Sequence, residues 1–248
     1  SAKNKSRQFG ILPIFLVIFT NMKIVLISDT HGLHEKMLYN LPEGDMIICA
    51  GDISNVGSIF EINQFTQWFS KLQYKYKIFI AGNHDFGFEK IRKSNEIGIS
   101  IPHGVIYLED EMVEIEGLKI YGSPWQPEFH NWAFNLPRNG DQIKFKWDSI
   151  PDDTDILITH GPPFECLDIT PTNQRVGCEL LKIRLDDLKP KLHVFGHIHD
   201  SYGIKYTSDT LSVNASICNE RYQPINKPIV VEVSEVYGEK VITYVDNG

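Results

Sequence analysis

The chain has 248 residues, 42% of them hydrophobic and 23% charged, which excludes a disordered, collagen-like or multi-span membrane protein. With 24 Lys and Arg against 32 Asp and Glu, its formal charge is −8, so long nucleic acids and anionic membranes are disfavoured as partners unless a local site reverses the field. Cys49, Cys166, Cys178 and Cys218 show no C-x-x-C spacing, so neither a thiolate zinc site nor a disulfide scaffold is expected, and a reducing cytoplasmic location fits best.

Lys3, Lys5 and Arg7 precede an apolar run, Phe9 to Phe19, that looks like a signal peptide. Pro13 interrupts the run, no small-x-small cleavage site follows, and the segment falls short of the roughly 20 residues of a membrane span. We therefore expect residues 1–21 to be an extension upstream of a natural start at Met22, and residues 22–248 to form a single domain.

From Met22, short β-branched runs alternate with helical stretches. Strands are predicted at Lys23 to Ser28, Met46 to Ala50 and Lys77 to Ala81. Between the last two, apolar residues at 59, 62, 65, 69 and 72 predict an amphipathic helix over Ser58 to Leu72 with Ser58 as N-cap, a βαβ crossover. Val105 to Leu108, Met112 to Ile115 and Leu118 to Tyr121 read as strands without intervening helices. Gly122 to Pro151, rich in Pro, Trp, Phe and Asn, reads as a long loop with helical turns. Then follow a strand at Asp155 to Thr159, a helix at Cys178 to Leu188, and strands at Leu192 to Phe195, Thr210 to Val213, Pro228 to Val233 and Lys240 to Val245.

Five polar clusters each follow a predicted strand: Asp29-x-His31, Gly51-Asp52, Gly82-Asn83-His84-Asp85, His160, and Gly196-His197-x-His199. Strand C-terminal ends are where α/β sheets assemble their sites. One such cluster is a turn or a solvated His; five in this order, several with glycine where backbone must pass close, form a specific signal. Two divalent ions polarising a phosphate need a bridging carboxylate, for which Asp52 is placed, and imidazoles to complete their shells. Oxygen and imidazole donors without thiolate suit Mn, Fe or Zn.

With these motifs the chain resembles the calcineurin-like metallophosphoesterases, and within them the metallophosphoesterase-domain-containing branch. The likeness extends through Gly122 to Pro127, Trp132 to Arg138, Gln174 to Cys178, Asn214-Ala215-Ser216 and Tyr222-Gln223-Pro224, covering Met22 to Val233. The resemblance implies a four-layer α/β/β/α sandwich with mixed sheets and two divalent ions. It assigns Asp29, His31 and His199 to the first ion, Asn83, His160 and His197 to the second, Asp52 to both, and His84 to the general acid. Attack by a bridging hydroxide on a small phosphodiester is the implied reaction, with cyclic nucleotides such as 2′,3′-cAMP or 3′,5′-cAMP as substrate class. The alternatives are a phosphomonoesterase (nucleotidase or protein phosphatase) and a non-catalytic metal-binding scaffold.

Two departures from the pattern matter. Asn55 stands where many relatives carry an acidic residue that orients the acid His, and an Asn side chain cannot stabilise an imidazolium as a carboxylate does. Asp85 stands where the branch more often has Glu.

For the substrate, Asn83, Trp125 and Arg175 are candidate contacts. Trp125, Phe129, Trp132 and Phe134 form either a platform for a nucleobase or arene or a hydrophobic cluster pinning the loop. Arg138 and Arg175 either contact the phosphate or form ion pairs. His34, His103, His130 and His193 match no metal position and are expected to pack or face solvent.

Overall fold

Both faces of the central strands are covered, which explains why segments such as Met46-Ile47-Ile48-Cys49 and Ile156-Leu157-Ile158-Thr159 are apolar throughout rather than alternating. In the computed structural model, which describes residues 21–94, 98–207 and 209–246, the elements run in the following order. The first half comprises β1 (Met22–Ile27), β2 (Met46–Cys49), α1 (Ile59–Lys71), β3 (Tyr76–Phe79), α2 (Phe86–Ser94), β4 (Val105–Tyr107), β5 (Glu111–Ile115) and β6 (Leu118–Ser123). The remainder comprises β7 (Gln126–Pro127), β8 (Asn135–Leu136), α3 (Asp141–Asp148), β9 (Ile156–Thr159), α4 (Glu179–Leu188), β10 (Leu192–Phe195), β11 (Gly203–Tyr206), β12 (Leu211–Asn214), β13 (Ile229–Val236) and β14 (Glu239–Val245). The expected extension lies, apart from Asn21, outside the described residues. Among the described residues no helix is long and apolar enough to cross a membrane.

Two mixed six-stranded sheets result, ordered β14-β13-β1-β2-β3-β4 and β11-β12-β10-β9-β6-β5. In the first, β1 to β4 are parallel and β13 and β14 close the edge antiparallel; in the second, β12, β10, β9 and β6 are parallel between antiparallel β11 and β5. Alternation along each strand builds the layers. Ile24, Leu26, Ile48 and Ile78 face Ile120, Ile156, Ile158, Val194 and Val213 of the other sheet. Val25, Ile47 and Phe79 turn the other way and pack with Phe65 and Phe69 of α1, while Tyr121 and Leu157 pack with Trp147 of α3 and Leu181 of α4. The α/β/β/α sandwich implied by the resemblance is therefore present, as is the β2-α1-β3 crossover. Each fully buried large apolar side chain contributes about 1.5–3 kcal/mol, so the intersheet layer and the helix-covered faces both stabilise the sandwich.

Ser58 caps α1 with a reciprocal pair: its Oγ accepts from the Glu61 N–H, and the Glu61 carboxylate accepts from the Ser58 N–H. Cys178 caps α4, its Sγ accepting from the Leu181 N–H at 3.4 Å. All four cysteines are buried and free.

Besides the unpredicted edge strand β11, two stretches differ from the sequence reading. Helix α2, directly after His84-Asp85, was not anticipated; at nine residues it is too short to display a clear period. The segment 122–151 is more ordered than a loop, holding the β7–β8 pair and α3, whose Trp147 is wholly buried. Aromatic packing orders it, and local sequence periodicity does not report that contribution.

Candidate metal centre

Asp29 and His31 follow β1, Asp52 follows β2, Asn83 and His84 follow β3, His160 follows β9, and His197 and His199 follow β10. These strand ends come from both sheets, and a parallel bridge between Ser28 and Ser216, just past the interior strands β1 and β12, ties the two sheets together. All eight residues converge on one cleft edge.

Three donor groups overlap there, each with its ligand atoms within 4.8 Å of one another: Asp29, His31 and His199; Asp52, His160 and His197; and His31, Asp52 and His84. His199 Nε2 lies 3.4 Å from Asp29 Oδ1 and 3.2 Å from His31 Nε2. His160 Nε2 lies 3.3 Å from Asp52 Oδ2 and 2.9 Å from Asn83 Oδ1. Asp52 Oδ2 stands 3.9 Å from His31 Nε2, between the two outer groups.

A second layer fixes which atoms face inward. The Nδ1–H groups of His160 and His199 donate to the carbonyls of Ala50 and Asn219, both at 2.9 Å, which leaves each Nε2 as the inward lone pair. Asp29 Oδ2 accepts from the Ser216 hydroxyl at 2.8 Å and from the His197 N–H at 3.1 Å, and Asp52 Oδ1 accepts from the His84 N–H at 2.8 Å. Asp85, fully buried, accepts from the Ile53, Ser54 and Gly82 N–H groups and locks the loops after β2 and β3 together. Its shorter side chain thus has a complete set of partners.

Local backbone strain accompanies this convergence. Asp29, His31, Asp52 and His197 all have φ between 44° and 68°, a region costly for residues with a Cβ and tolerated where surrounding contacts enforce it. Glycine makes the approach sterically feasible: a Cβ on Gly196 would lie 1.9 Å from Asp29 Oδ2, and one on Gly82 would lie 2.3 Å from Asp52 Oδ1.

Electrostatics show what the site lacks internally. Burial raises the carboxyls of Asp29 and Asp52, yet the neighbouring imidazoles, led by His199 and His160 respectively, outweigh it and hold both below the usual carboxylate range. Burial pushes His31 down to about 4 and His197 down to about 3. Burial also opposes charge on His160, but the Asp52 and Asp29 carboxylates reverse this and raise it to about 9. Without an ion, the Nε2–H of protonated His160 serves Asp52 and Asn83; a divalent cation in its place would meet the same two oxygens and the freed Nε2 lone pair. Oxygen and neutral imidazole donors fit one or two divalent ions of the Mn, Fe or Zn type.

The predicted substrate contacts divide. Asn83 lies in the cluster. Trp125 is 5% exposed, with its Nε1–H donating to Asp110, and Arg175 donates to the fully buried Asp168 at 2.7 Å; neither lines the cleft. Arg138 donates to the Gly177 and Val176 carbonyls and to Glu179, clamping the chain ahead of α4. Of the aromatic segment, Phe134 is core, whereas Phe129 lines the cleft and Trp132 lies over the His84 ring with centroids 4.1 Å apart. His34 and His193 are buried packing residues, and His103 and His130 are exposed, as expected.

Tyr222, for which the sequence suggested no role, lies 4.7 Å from the His31 ring and 5.3 Å from the His199 ring. The sequence likewise assigns no supporting role to Ser216 or Asn219; only the Asn214-Ala215-Ser216 likeness marks the first. The cleft spans about 280 Å³ and is lined by His31, Asp52, Asn83, His84, His197 and His199 together with Phe129, Thr170, Pro171, Ile198, Asp200, Glu220 and Tyr222, while Asp29 and His160 are fully buried behind them.

Comparison with known proteins agrees with this geometry. The calcineurin-like phosphoesterase family matches residues 22–201. The human metallophosphoesterase domain-containing protein 1 is 43% identical over 233 residues, covering 85% of this chain and 71% of that protein. A Caenorhabditis elegans relative, UPF0046 protein T07D4.2, is 37% identical, covering 86% of this chain and 60% of its own length. The crystal structure of TT1561 from Thermus thermophilus shares the fold, with a TM-score of 0.54 at 15% identity over 79% of this chain and 89% of that one. Motif order, sandwich topology and extended sequence identity converge: this chain belongs to the calcineurin-like phosphoesterase family.

Proposed function

We propose that the protein hydrolyses a small-molecule phosphodiester, with cyclic nucleotides such as 2′,3′-cAMP and 3′,5′-cAMP as the substrate class and two divalent ions, Mn, Fe or Zn, as cofactors. In this reading Asp29, His31 and His199 hold one ion, Asn83, His160 and His197 the other, and Asp52 both. When bound, such ions supply Lewis acidity towards phosphoryl oxygens and lower the pKa of water. Two carboxylates against two divalent ions leave a formal surplus of positive charge, which complements a phosphate in its transition state.

The observation carrying the reading is the setting of His84. Its Nδ1–H is committed to the Asn55 carbonyl at 2.6 Å, while Nε2 lies 4.0 Å from Asp52 Oδ2 at the mouth of the cluster. The ring therefore keeps one hydrogen at Nδ1 and exchanges the catalytic proton at Nε2, delivering it to the departing ester oxygen.

The choice of a diester rests on charge. Among the described residues that line the cleft there is no Lys or Arg, and Asp200 and Glu220 are present. A diester carries one negative charge, a monoester close to two, and the second finds no side-chain partner outside the metal cluster. Turnover of bis-p-nitrophenyl phosphate against p-nitrophenyl phosphate in manganese tests the choice. A large monoester preference overturns it.

A further inference from the structure

Two exposed aromatic rings flank the cluster without belonging to any core. Phe129 is 52% exposed and contacts the His197 ring at 6.0 Å, beside the Asp52, His160 and His197 group. Tyr222 is 46% exposed and meets the His31 and His199 rings edge-on beside the other group, with the His84 ring 6.1 Å away.

Tyr222 is held there at a conformational cost. Its φ is +56°, a left-handed backbone that a bulky aromatic residue rarely adopts. A dedicated turn enforces it. The side-chain oxygen of Asn219 accepts from the Arg221 and Gln223 N–H groups, both at 3.0 Å, and the Tyr222 N–H donates to the Asn219 carbonyl at 2.9 Å. That same carbonyl accepts from His199 Nδ1–H at 2.9 Å, so one residue sets both a metal-site imidazole and the ring above it. With the residue nearly half exposed, its edge contacts to the imidazoles offset only part of the strain. A strained, exposed ring over a reactive cluster is the pattern of a residue that contacts substrate.

We infer that Tyr222 and Phe129 are the two walls of an aromatic slot that grips a flat ring on the organic part of the ester, which selects nucleoside or aryl phosphoesters over alkyl ones. This deepens the diesterase reading and rests on it for the position of the phosphate. Tyr222 stands on the His84 side of the cleft, where the leaving oxygen is protonated, so its wall bears on the leaving group. Phe129 closes the same slot from the His197 side. Stacking on an aromatic side chain tolerates any base because each has a π-face, so the slot selects for a ring rather than for one nucleobase.

The test compares two ligands that share a phosphate but differ in the ring. Adenosine monophosphate and glycerol 3-phosphate are titrated calorimetrically into manganese-loaded wild type, Tyr222→Gly, Tyr222→Phe and Phe129→Ala. Glycine is the truncation of choice because it adopts the left-handed turn freely, which keeps Asn219 and His199 in place; metal content measured on each variant checks this. Tyr222→Gly and Phe129→Ala are each expected to weaken adenosine monophosphate binding about 10-fold and to leave glycerol 3-phosphate within about 2-fold, with Tyr222→Phe matching wild type. Equal weakening of both ligands, or none, overturns the slot, as does wild-type protein that binds the two ligands equally. Wild type that hydrolyses no diester while its adenosine monophosphate affinity still depends on Tyr222 overturns the reaction and leaves the slot standing.

Discussion

The Nδ1–H of His84 donates to the main-chain carbonyl of Asn55 at 2.6 Å, across a separation of 29 residues. The residue that departs from the family pattern thus still orients the His84 imidazole, by its backbone and not its side chain. A carbonyl fixes the tautomer and the ring plane as a carboxylate does, and it does so whatever side chain the residue carries.

Asn55→Ala is therefore expected to keep kcat/KM for a diester within about 2-fold of wild type, since the hydrogen-bonding atom is unchanged. Steady-state kinetics in manganese check this. A loss of about 100-fold would assign the orienting role to the Asn55 side chain.

Asp52→Asn and His84→Ala separate metal binding from proton transfer. Asp52→Asn removes the carboxylate shared by two donor groups, and both metal content and turnover should fall. His84→Ala should retain metal and lose about 10²–10⁴-fold in kcat on an alkyl ester, with a smaller loss on a p-nitrophenyl ester whose leaving group needs no proton. Metal analysis beside the two rates gives the readout. Full activity of His84→Ala on the alkyl ester removes the general-acid assignment.

Arg175→Ala tests whether this residue acts on structure or on substrate. Arg175 is the charged partner of Asp168, which is wholly buried and also accepts from the Glu165 and Gly177 N–H groups. Because the Arg side chain is 42% exposed, solvent screens the pair, and its loss should cost about 1–2 kcal/mol in urea unfolding with KM unchanged. A raised KM at unchanged stability would return Arg175 to the substrate site.

His193 supplies a pH dependence separate from the cluster residues. Burial lowers its pKa to about 3, and its Nε2 lies 2.8 Å from Thr159 Oγ1, whose hydroxyl donates to the Gly161 carbonyl; the imidazole is therefore neutral with its hydrogen on Nε2. The unfolded chain binds this proton from an ordinary pKa near 6.5, the folded chain only near 3, so the stability contribution is complete above about pH 6.5 and is lost as pH falls towards 3. Between about pH 7 and 5 this group alone removes about 2 kcal/mol. In His193→Leu the urea-midpoint slope over that interval should flatten by that amount. An unchanged slope would place the acid sensitivity elsewhere.

Gly196→Ala probes the closest approach in the site. The added methyl carbon would sit 1.9 Å from Asp29 Oδ2, between rigid backbone and a residue already held by Ser216. Metal content should drop together with a stability loss of about 1–3 kcal/mol. A variant with wild-type metal content would mean that the strand ends separate easily.

The sequence by itself determined most of the strands, the crossover and which Asp, Asn and His residues gather in one cluster. Asp, Asn and His at strand ends are chemically distinctive, and their order along the chain mirrors the order of the parallel strands that deliver them. Tertiary structure decided everything that depends on direction. Every residue carries a carbonyl, so nothing in the sequence marks that of Asn55, Ala50 or Asn219 as the one that meets an imidazole. Trp125 and Phe129 are four residues apart in one aromatic segment, yet packing buries the first against Asp110 and leaves the second in the cleft. Tyr222 reaches the cluster only because Asn219 bends the chain into a left-handed turn beneath it. Side-chain chemistry is written residue by residue, whereas the orientation of main-chain dipoles and rings is set by contacts between segments far apart in the chain.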